Sequence, residues 1–236
     1  MTTDAAPARN AFGGWKTALA AGLIGAVVGG GAVAYVSRES VRDYLLENPE
    51  VLPEAMDKLR ERESARMVSA NRTALERPFA GAWAGAADGD VVLVEFFDYA
   101  CGFCRKSNAD VDRLLREDPR LKVVWREWPV LGPDSETAAR ASLAAARAGR
   151  FKPFHDALFA AGRPSPEALA KARSGAGLAA DLPAAVTDPE LARNFELARG
   201  LEATGTPTFV VGDQILQGAV GYEALRDAIK EARQKG

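Results

Sequence analysis

Residues 91–104 read VVLVEFFDYACGFC and decide the fold, because they join a strand-like run to both cysteines of the chain. The apolar run at 91–97 is interrupted only by Glu95, which is typical of a central strand that is buried on both faces. A short turn then leads to Cys101 and Cys104, three positions apart. In a chain of 236 residues, two cysteines placed at random would show this spacing only about once in a hundred chains. The spacing therefore indicates chemistry rather than composition.

The Cys-x-x-Cys pair predicts a redox-active site. At the start of a helix this spacing closes a small disulfide ring, whose sulfurs alternate between thiol and disulfide. The alternative is half of a structural zinc site, but such a site needs about four protein ligands. Besides Cys101 and Cys104, the chain offers one distant histidine, His155. We therefore predict thiol–disulfide chemistry carried by the two sulfurs themselves, with no bound metal and no cofactor.

Composition and charge are those of an ordinary globular protein and give no sign of a nucleic-acid partner. Hydrophobic residues make up 47% of the chain, charged residues make up 26%, and the formal net charge is −2. This balance provides no basic patch for nucleic acid. The arginines between residues 60 and 72 alternate with acids, which is typical of a solvated helical face.

Residues 17–37 contain no charged side chain and are rich in Ala, Gly, Val, Leu and Ile. As a helix, this segment would span roughly 30 Å, the thickness of the hydrocarbon core of a bilayer. We expect a retained transmembrane anchor after an N-terminal tail at 1–16. A cleaved signal peptide is the main alternative, with Arg9 and Lys16 as its positive region and residues 32–34 as its cleavage site. A buried helix of a soluble domain is less favoured, because nothing nearby offers it a partner.

The charges around this segment do not decide its orientation, because basic residues both precede and follow it. The cysteine chemistry does decide it. A dithiol pair acts on protein substrates best on the oxidising, extracytoplasmic side of a membrane. We therefore expect the chain from residue 38 onward to lie in the bacterial periplasm. Because the chain has no third cysteine, it carries no structural disulfide.

Residues 38–77 are predicted to form a helical stalk. No glycine or proline interrupts 54–76, and Leu52, Met56 and Leu59 follow a 4-3 spacing before charged residues enter the same seam. One interpretation is a helix that packs on its own domain or spaces that domain from the membrane. The other is a self-association arm, which is favoured because an exposed Leu/Met stripe needs a partner. The stalk would then make the protein a homo-oligomer.

The remaining chain, 78–236, alternates strand and helix signals, with a helical block in the middle and a hairpin near the end. This order predicts an α/β domain. Residues 78–90 are expected to be a loop or an irregular first strand. Later strands are expected at 91–97, 121–128, 208–211 and 214–217, and helices from the cysteines onward, at 134–148, 151–161 and 222–233, with shorter ones through 166–200.

Four segments of this domain, in the same order along the chain, resemble the DsbA-like thioredoxin family. They are VEFFDYACGFC at 94–104, REWP at 126–129, FHDAL at 154–158 and GTPTF at 205–209. The likeness covers about 90–236, and YLLENPE at 44–50 is similar to the stalk of suppressor-of-copper-sensitivity-type members. The resemblance implies a thioredoxin fold with an inserted helical subdomain at about 133–200. It also implies thiol–disulfide exchange on cysteine-containing exported proteins, with a membrane redox partner that reduces or oxidises the dithiol.

The expected site residues follow from their positions and from this resemblance. Cys101 stands at a helix N-terminus, where free backbone N–H groups and the helix dipole favour an anion, so its thiolate is expected to attack. Cys104, one turn further along, is expected to resolve the mixed disulfide. The resemblance makes Pro207 a cis-proline that faces the cysteines, and Thr206 a backbone partner for a bound peptide. A trans proline that leads an edge strand is the alternative.

Glu95 and His155 are the other titratable candidates. A carboxylate inside an apolar run is costly to bury, and in the family the matching position holds a buried acid behind the cysteines. We favour a proton role for Glu95, which would relay a proton from Cys104. The alternative is an ion pair with a buried base such as Arg126. His155 lies among aromatic residues at helical spacing, which favours a core histidine over a general base.

The direction of the exchange is the remaining question. Gly102 and Phe103 between the cysteines, and Thr206 before Pro207, are closer to the isomerase-like members of the family than to its dedicated oxidases. We therefore favour a disulfide isomerase or reductase, with a disulfide oxidase as the alternative. A Cu(I)-holding dithiol chaperone is a further alternative, since soft thiolates select Cu(I), although no methionine cluster accompanies the motif.

Overall fold

The computed structural model describes residues 40–178 and 187–235. Residues 17–37, for which a membrane anchor or signal peptide is predicted, lie outside the described residues, as does the tail at 1–16. Within the part of the chain that is described, no helix is both long enough and apolar enough to cross a membrane.

The chain divides into two units, one that ends at Lys58 and one that runs from Leu59 to Gly236. The described part of the first unit is mainly helical. Helix α1 covers residues 40–47, and helix α2 (Val51–Glu76) begins in this unit and ends in the second.

Helix α2 combines an exposed apolar part with a packed part. Leu52, Met56 and Leu59 are each more than half exposed, at 52%, 55% and 55%. Within the second unit, Val68 and Leu75 are buried in the apolar cluster on one face of the sheet. The two interpretations of the predicted stalk therefore apply to different parts of one helix. Its end packs on the domain, and its exposed stripe remains the candidate for self-association.

The second unit contains the mixed α/β fold, and its strands and helices alternate as the sequence predicts. The elements are β1 (Trp83–Gly85), β2 (Val91–Phe97), α3 (Gly102–Glu117), β3 (Leu121–Glu127), α4 (Pro133–Arg147), α5 (Phe151–Ala161), α6 (Pro166–Gly175), α7 (Asp188–Gly200), β4 (Thr208–Val211), β5 (Gln214–Gln217) and α8 (Tyr222–Lys235). The strand predicted at 121–128 ends one residue earlier. Helices α4 to α7 stand between β3 and β4, the stretch for which the helical insertion is predicted.

The strands of the second unit form one five-stranded sheet in the order β1-β3-β2-β4-β5. Strands β2 and β3 are parallel and are joined by α3, whereas the other three pairs are antiparallel. A parallel βαβ unit, followed after the helical block by a hairpin and a last helix, is a thioredoxin-like arrangement. The predicted α/β class and thioredoxin fold are therefore confirmed for the described residues.

Because side chains alternate along a strand, β2 and β3 send different residues to the two faces of the sheet. On one face, Leu93 and Phe97 pack in the apolar core with α3, α5 and α8. On the other face, Phe96 and Val124 pack with α2 and α7. Both cysteines belong to the first core, and Glu95 points to the same face because it alternates with its neighbours.

Arg126 on β3 holds the end of α2. Its buried guanidinium donates from Nε to the carbonyl of Leu75 at 3.2 Å and from Nη2 to the carbonyl of Arg77 at 2.6 Å. Carbonyls at a helix C-terminus lack an intrahelical partner, so these contacts satisfy groups that would otherwise be orphaned. Nη1 also donates to Glu190 and Asn194 on α7, both at 2.9 Å. Arg126 therefore ties α2 and α7 to one face of the sheet.

Candidate active site

Cys101 is the N-cap residue of α3, so its side chain lies where unpaired backbone N–H groups collect. Its backbone is extended, with φ −77° and ψ 117°, and its Sγ accepts the N–H of Cys104 at 3.4 Å. The turn before it is closed by a hydrogen bond from the Cys101 N–H to the carbonyl of Asp98 at 3.0 Å. The strand, the turn and the helix therefore place the first sulfur at a helix N-terminus.

The two sulfurs differ in both exposure and acidity. Cys101 is 6% exposed, whereas Cys104 is fully buried. Hydrogen bonding from Cys104 lowers the pKa of Cys101 to about 5 against the effect of partial burial, and a hydrogen bond with the Thr206 side chain lowers it further. Burial raises the pKa of Cys104 well above its usual value, and the hydrogen bond to Cys101 and the charge of Glu95 raise it further. At neutral pH, Cys101 is therefore a thiolate and Cys104 is a thiol.

The loop before β4 faces Cys101. The peptide bond between Thr206 and Pro207 is cis, as the resemblance implies, and not the trans alternative. The Cys101 thiol lies 3.2 Å from the carbonyl oxygen of Thr206, to which it donates when protonated. Strand β4 pairs antiparallel with β2, with Thr208 opposite Phe96, so the residues before β4 reach the edge of the sheet at which β2 ends. The sheet therefore brings Thr206 and Pro207 to the cysteines across about a hundred residues of chain.

Glu95 is fully buried on the face of the sheet that carries the cysteines. Its Oε2 accepts the indole N–H of Trp125 at 3.0 Å. Burial raises the pKa of Glu95 to about 8, although the hydrogen bond from Trp125 opposes this, and the charges of Cys101 and Asp112 raise it further. A carboxyl with this pKa exchanges its proton near neutral pH, as general acid–base chemistry requires.

The alternative prediction, in which Glu95 forms an ion pair with Arg126, is wrong. Glu95 stands opposite Trp125 in the register of β2 and β3, and Arg126 is the next residue along β3. Adjacent residues of a strand point to opposite faces. Arg126 therefore lies on the α2 and α7 side, where Glu190 is its ion-pair partner at 2.9 Å.

His155 is a core residue, as predicted. It is buried on α5 among aromatic rings, with the ring centroids of Phe97 and Phe159 each 4.9 Å away. Its Nδ1 is 3.2 Å from the hydroxyl of Tyr99, and its Nε2 is 3.2 Å from Asn108 Oδ1. Burial lowers the pKa of His155 well below its usual value, so the ring is neutral.

Asp98 is a site residue that the sequence analysis did not identify. Its buried carboxylate accepts the N–H of Ala100 at 2.7 Å through Oδ1, and the N–H groups of Val130 and Leu131 at 2.9 Å through Oδ2. One side chain therefore joins the turn that precedes Cys101 to the loop that follows β3. An Asp that directly precedes a turn is a local signal for such hydrogen bonding, but it does not reveal the second loop.

Exposed apolar side chains lie next to the cysteines and on the loop that Asp98 holds. Phe103, between the cysteines, is 66% exposed, and Val130 and Leu131 are 42% and 50% exposed. Exposed apolar groups of this kind mark interaction surfaces. In the described residues, no group of three or more His, Cys, Asp or Glu side chains is arranged to hold a metal ion.

Three features define the class of this protein: the thioredoxin-like sheet, the Cys-x-x-Cys pair at the N-terminus of α3, and the cis-proline loop beside that pair. The class is the thioredoxin-fold thiol–disulfide oxidoreductases. The DSBA-like thioredoxin domain matches residues 92–230, and the chain belongs to this family. Residues 38–66 match a second family, the N-terminal domain of the copper resistance protein ScsC.

Solved structures agree with this assignment. A thioredoxin-like oxidoreductase from Silicibacter pomeroyi is 38% identical, with a TM-score of 0.65 over 70% of this chain and 98% of that chain. A linker-deletion mutant of ScsC from Proteus mirabilis is 30% identical, with a TM-score of 0.70 over 84% of this chain and 94% of that chain. A periplasmic thioredoxin-like protein from Salmonella enterica serovar Typhimurium is 26% identical, with a TM-score of 0.64 over 69% of this chain and 95% of that chain.

Curated relatives share only part of their length with this chain. The Na(+)/H(+) antiporter NhaA 3 of Salinispora tropica is 30% identical over an alignment of 169 residues, and the match covers 63% of this chain and 24% of the antiporter. The chain therefore spans about a quarter of the length of curated relatives such as this one. The transport activity in those names belongs to those proteins.

Proposed function

We propose that this chain catalyses thiol–disulfide exchange on cysteine-containing exported proteins in the bacterial periplasm, as a disulfide isomerase or reductase. The observation that carries the proposal is the difference between the two sulfurs. Cys101 has a pKa of about 5. Cys104 is fully buried and has a raised pKa. One sulfur is therefore ready to attack, and the other is kept as a thiol until it is needed.

The exchange begins when the Cys101 thiolate attacks one sulfur of a substrate disulfide. The substrate S–S bond breaks, a Cys101–substrate disulfide forms, and the other substrate sulfur leaves as a thiolate. In isomerisation, a different substrate thiolate attacks the substrate sulfur of the mixed disulfide, a new substrate disulfide forms, and Cys101 leaves as a thiolate. In reduction, Cys104 attacks Cys101 Sγ as a thiolate, a Cys101–Cys104 disulfide forms, the mixed disulfide breaks, and the substrate leaves with both of its sulfurs reduced.

The second attack requires that Cys104 first lose its proton. Glu95 is the candidate acceptor because it is a buried carboxyl on the same face of the sheet, with a pKa of about 8. Its charge raises the pKa of Cys104, so the two groups interact. We propose that the proton passes from Cys104 to Glu95 as the Cys104 thiolate forms.

The surface around Cys101 supports a polypeptide as substrate. The exposed apolar residues Phe103, Val130 and Leu131 would contact segments that a misfolded protein leaves uncovered. Thr206 offers backbone groups for strand-like pairing with the substrate. A membrane redox partner would then return the dithiol to its working state, and an anchor at 17–37 would keep the chain close to that partner.

Self-association through residues 38–77 is part of the proposal. The stripe of Leu52, Met56 and Leu59 is exposed on α2, and covering it in a homo-oligomer would remove apolar surface from water. Several active sites in one assembly would act on one misfolded substrate. The match of residues 38–66 to the ScsC N-terminal domain supports a distinct role for this segment.

The test is reactivation of scrambled ribonuclease by the full chain in detergent, beside oxidation of reduced ribonuclease. We expect reactivation, its loss in Cys101→Ala, and its reduction when Leu52 and Met56 are both changed to Glu. Arg62→Glu is the matched control, because it makes the same change in charge on α2 without touching the stripe. Rapid oxidation of reduced ribonuclease without reactivation would instead identify a disulfide oxidase.

The Cu(I)-holding alternative needs both sulfurs as thiolates. The structure supports it less well, because Cys104 is fully buried and has a raised pKa. Stoichiometric protection of both cysteines from alkylation by added Cu(I), in a chain without reactivation activity, would favour that alternative over exchange.

A further inference from the structure

An open hollow of about 420 Å³ lies between the C-terminal half of α7 and the loop that follows β3. Its lining comes from three segments of the second unit: Trp128 and Val130 after β3, Phe195 and Arg199 on α7, and Glu202 and Ala203 in the loop before β4. Of these residues, only Val130 has a part in the exchange proposed above. The hollow therefore needs an explanation of its own.

The centre of the hollow is apolar and its edge is polar. Trp128 is 8% exposed and packs edge to face on Phe96, with the ring centroids 6.3 Å apart. Phe195 and Val130 are each 42% exposed, although both carry large apolar side chains. The two charged lining residues are exposed at the edge. An apolar centre with a polar rim is the usual anatomy of a surface that a partner covers.

Hydrogen bonds from buried side chains hold the sides of the hollow in place. Asn194 on α7 donates from Nδ2 to the carbonyl of Glu127 at 3.0 Å. Each of these two residues directly precedes an aromatic residue of the lining, so this bond sets the spacing between α7 and the floor. On the loop after β3, the N–H of Val130 donates to Asp98 at 2.9 Å. The hollow is therefore pre-formed, which lowers the cost of filling it.

Two sides of the hollow belong to the loops that flank Cys101. Asp98, which holds Val130, also accepts the Cys101 N–H through its carbonyl at 3.0 Å. Ala203 stands three residues before Thr206, so their Cα atoms are at most about 11 Å apart. The carbonyl of Thr206 is in turn 3.2 Å from the Cys101 sulfur. The near side of the hollow therefore lies on the order of 15 Å from that sulfur.

We propose that this hollow binds one large apolar side chain of the polypeptide substrate whose cysteine reacts with Cys101. The inference rests on the proposed function and adds a feature by which the substrate is selected. An extended chain rises about 3.3 Å per residue, so the bound side chain stands within about five positions of the reacting cysteine. Because the hollow lies on one side of Cys101, only residues on one side of the reacting cysteine reach it.

The bond to Cys101 is the reason for assigning the hollow to the substrate. A mixed disulfide tethers the neighbouring residues of the substrate beside the hollow, and a tether raises their effective concentration there. An apolar contact too weak to hold a free ligand then suffices. The same contact, made before the attack, keeps the substrate disulfide close to the thiolate. A native protein buries most of its large apolar side chains, so the hollow favours substrates that are not correctly folded.

The experiment uses the reduced full chain in detergent and a set of short peptides, each with one central cysteine joined to an aromatic thiol. The Cys101 thiolate attacks the peptide sulfur, a Cys101–peptide disulfide forms, the S–S bond of the reagent breaks, and the aromatic thiolate leaves. Its absorbance gives the rate. One Phe is placed at successive positions on both sides of the cysteine in an otherwise Gly/Ser sequence. We expect the rate to rise roughly tenfold at positions within about five residues, on one side only.

Variants of Phe195 assign this preference to the hollow. Phe195→Ser should remove the preference, whereas Phe195→Leu, which keeps an apolar wall, should retain most of it. Glu196→Ser is the matched control, because it places the same residue at the next position of α7, where the side chain is 74% exposed and does not line the hollow. A small aromatic disulfide without a peptide should react equally fast with all four proteins, which shows that Cys101 itself is unchanged.

The outcomes separate this inference from the proposed function. A rate that does not depend on the position of Phe, or a preference that survives Phe195→Ser, would overturn the assignment of the hollow and leave the exchange intact. A wild-type chain that releases no aromatic thiolate from any reagent would overturn the proposed function and this inference together. Sedimentation of the same proteins covers a second copy as the occupant. If Phe195→Ser changes the oligomeric state but not the preference, the hollow is a contact between copies and the inference is wrong.

Discussion

The sulfur of Cys101 lies 3.2 Å from the carbonyl oxygen of Thr206, across the gap between the start of α3 and the loop before β4. The sulfur that we propose as the nucleophile is therefore held beside a backbone segment that is suited to pair with a substrate strand. In the proposed exchange, a substrate disulfide that reaches Cys101 would lie along this segment. The side chain of the same residue ties the acidity of the sulfur to the loop, because a hydrogen bond with the Thr206 side chain lowers the pKa of Cys101.

The first prediction concerns the acidity of Cys101. The rate of its alkylation by iodoacetamide should rise with pH through an inflection at about 5. In Cys104→Ala the inflection should move to higher pH, because hydrogen bonding from Cys104 is the largest cause of the lowered value. Mass spectrometry should locate the label on Cys101. An inflection near the usual cysteine value of about 8.5 in the wild type would contradict the assignment of Cys101 as a thiolate.

A second prediction tests the contribution of the loop. Thr206→Val should raise the pKa of Cys101, but by less than Cys104→Ala does, because Thr206 is a smaller cause than Cys104. Thr204→Val, two residues earlier, is the matched control, since the Thr204 hydroxyl donates to Gln217 and not to the site. The measurement is the same alkylation profile. Equal shifts in the two variants would show a general disturbance of the loop rather than a contact with Cys101.

A third prediction follows from the buried carboxyl of Glu95, whose pKa is raised from 4.5 to about 8. The stability that its uncharged form contributes is fully present below pH 4.5 and is lost as the pH rises through about 8. Glu95→Gln cannot ionise, so the stability of the variant relative to the wild type should increase with pH across this window. The increase should reach at most about 1.4 kcal/mol per pH unit.

Urea unfolding of the reduced proteins at several pH values measures this difference. Glu136→Gln, which changes an exposed carboxyl on α4, should give a curve parallel to that of the wild type. The same Glu95→Gln variant should slow the attack by Cys104 while Cys101 alkylation stays close to the wild-type rate. A stability difference that is flat with pH would mean that Glu95 is ionised in the folded protein throughout.

The features that the sequence predicts correctly are local. The apolar run of β2, the helix that follows it and the cysteine spacing are each visible within residues 91–104, and they place Cys101 at the N-terminus of α3. The cis bond before Pro207 is different, since only the family resemblance pointed to it. The residues around Pro207 hold no local signal that distinguishes the cis form of this peptide bond from the trans form.

The features that the sequence does not provide depend on which chain segments meet. Glu95 bonds to Trp125 and not to Arg126 because the register of β2 and β3 sends those neighbours to opposite faces. That register is a tertiary property, and a shift by one residue would reverse the outcome. The link from Asp98 to Val130 likewise joins segments 32 residues apart.

A fourth prediction tests this link. Asp98→Asn keeps the shape of the side chain but replaces one acceptor oxygen with an NH2 group, so it cannot accept all three N–H bonds. Because the site is buried, the loss should cost roughly 1–3 kcal/mol of unfolding free energy. The release of the loop that carries Val130 and Leu131 should also slow mixed-disulfide formation with a peptide more than with a small disulfide such as oxidised glutathione. Equal slowing of both would place the effect at Cys101 itself.

The last prediction concerns Arg126, which joins β3 to α2 and α7. Arg126→Met keeps an apolar stem but leaves buried carbonyls at the end of α2 and the nearly buried carboxylate of Glu190 without their cation. Removing one partner of a buried pair costs roughly 3–5 kcal/mol, because the other charge remains buried and uncompensated.

Arg140→Met is the matched control, since Arg140 pairs with Glu136 and Asp188 at positions that water reaches. Exposed pairs contribute only about 0–1 kcal/mol, so this variant should unfold at nearly the wild-type urea concentration. The loss of unfolding free energy should be larger for Arg126→Met than for Arg140→Met. The first substitution leaves a buried carboxylate at Glu190, whereas the second leaves solvated carboxylates at Glu136 and Asp188. Similar losses in the two variants would show that the Arg126 contacts do not hold α2 and α7 to the sheet.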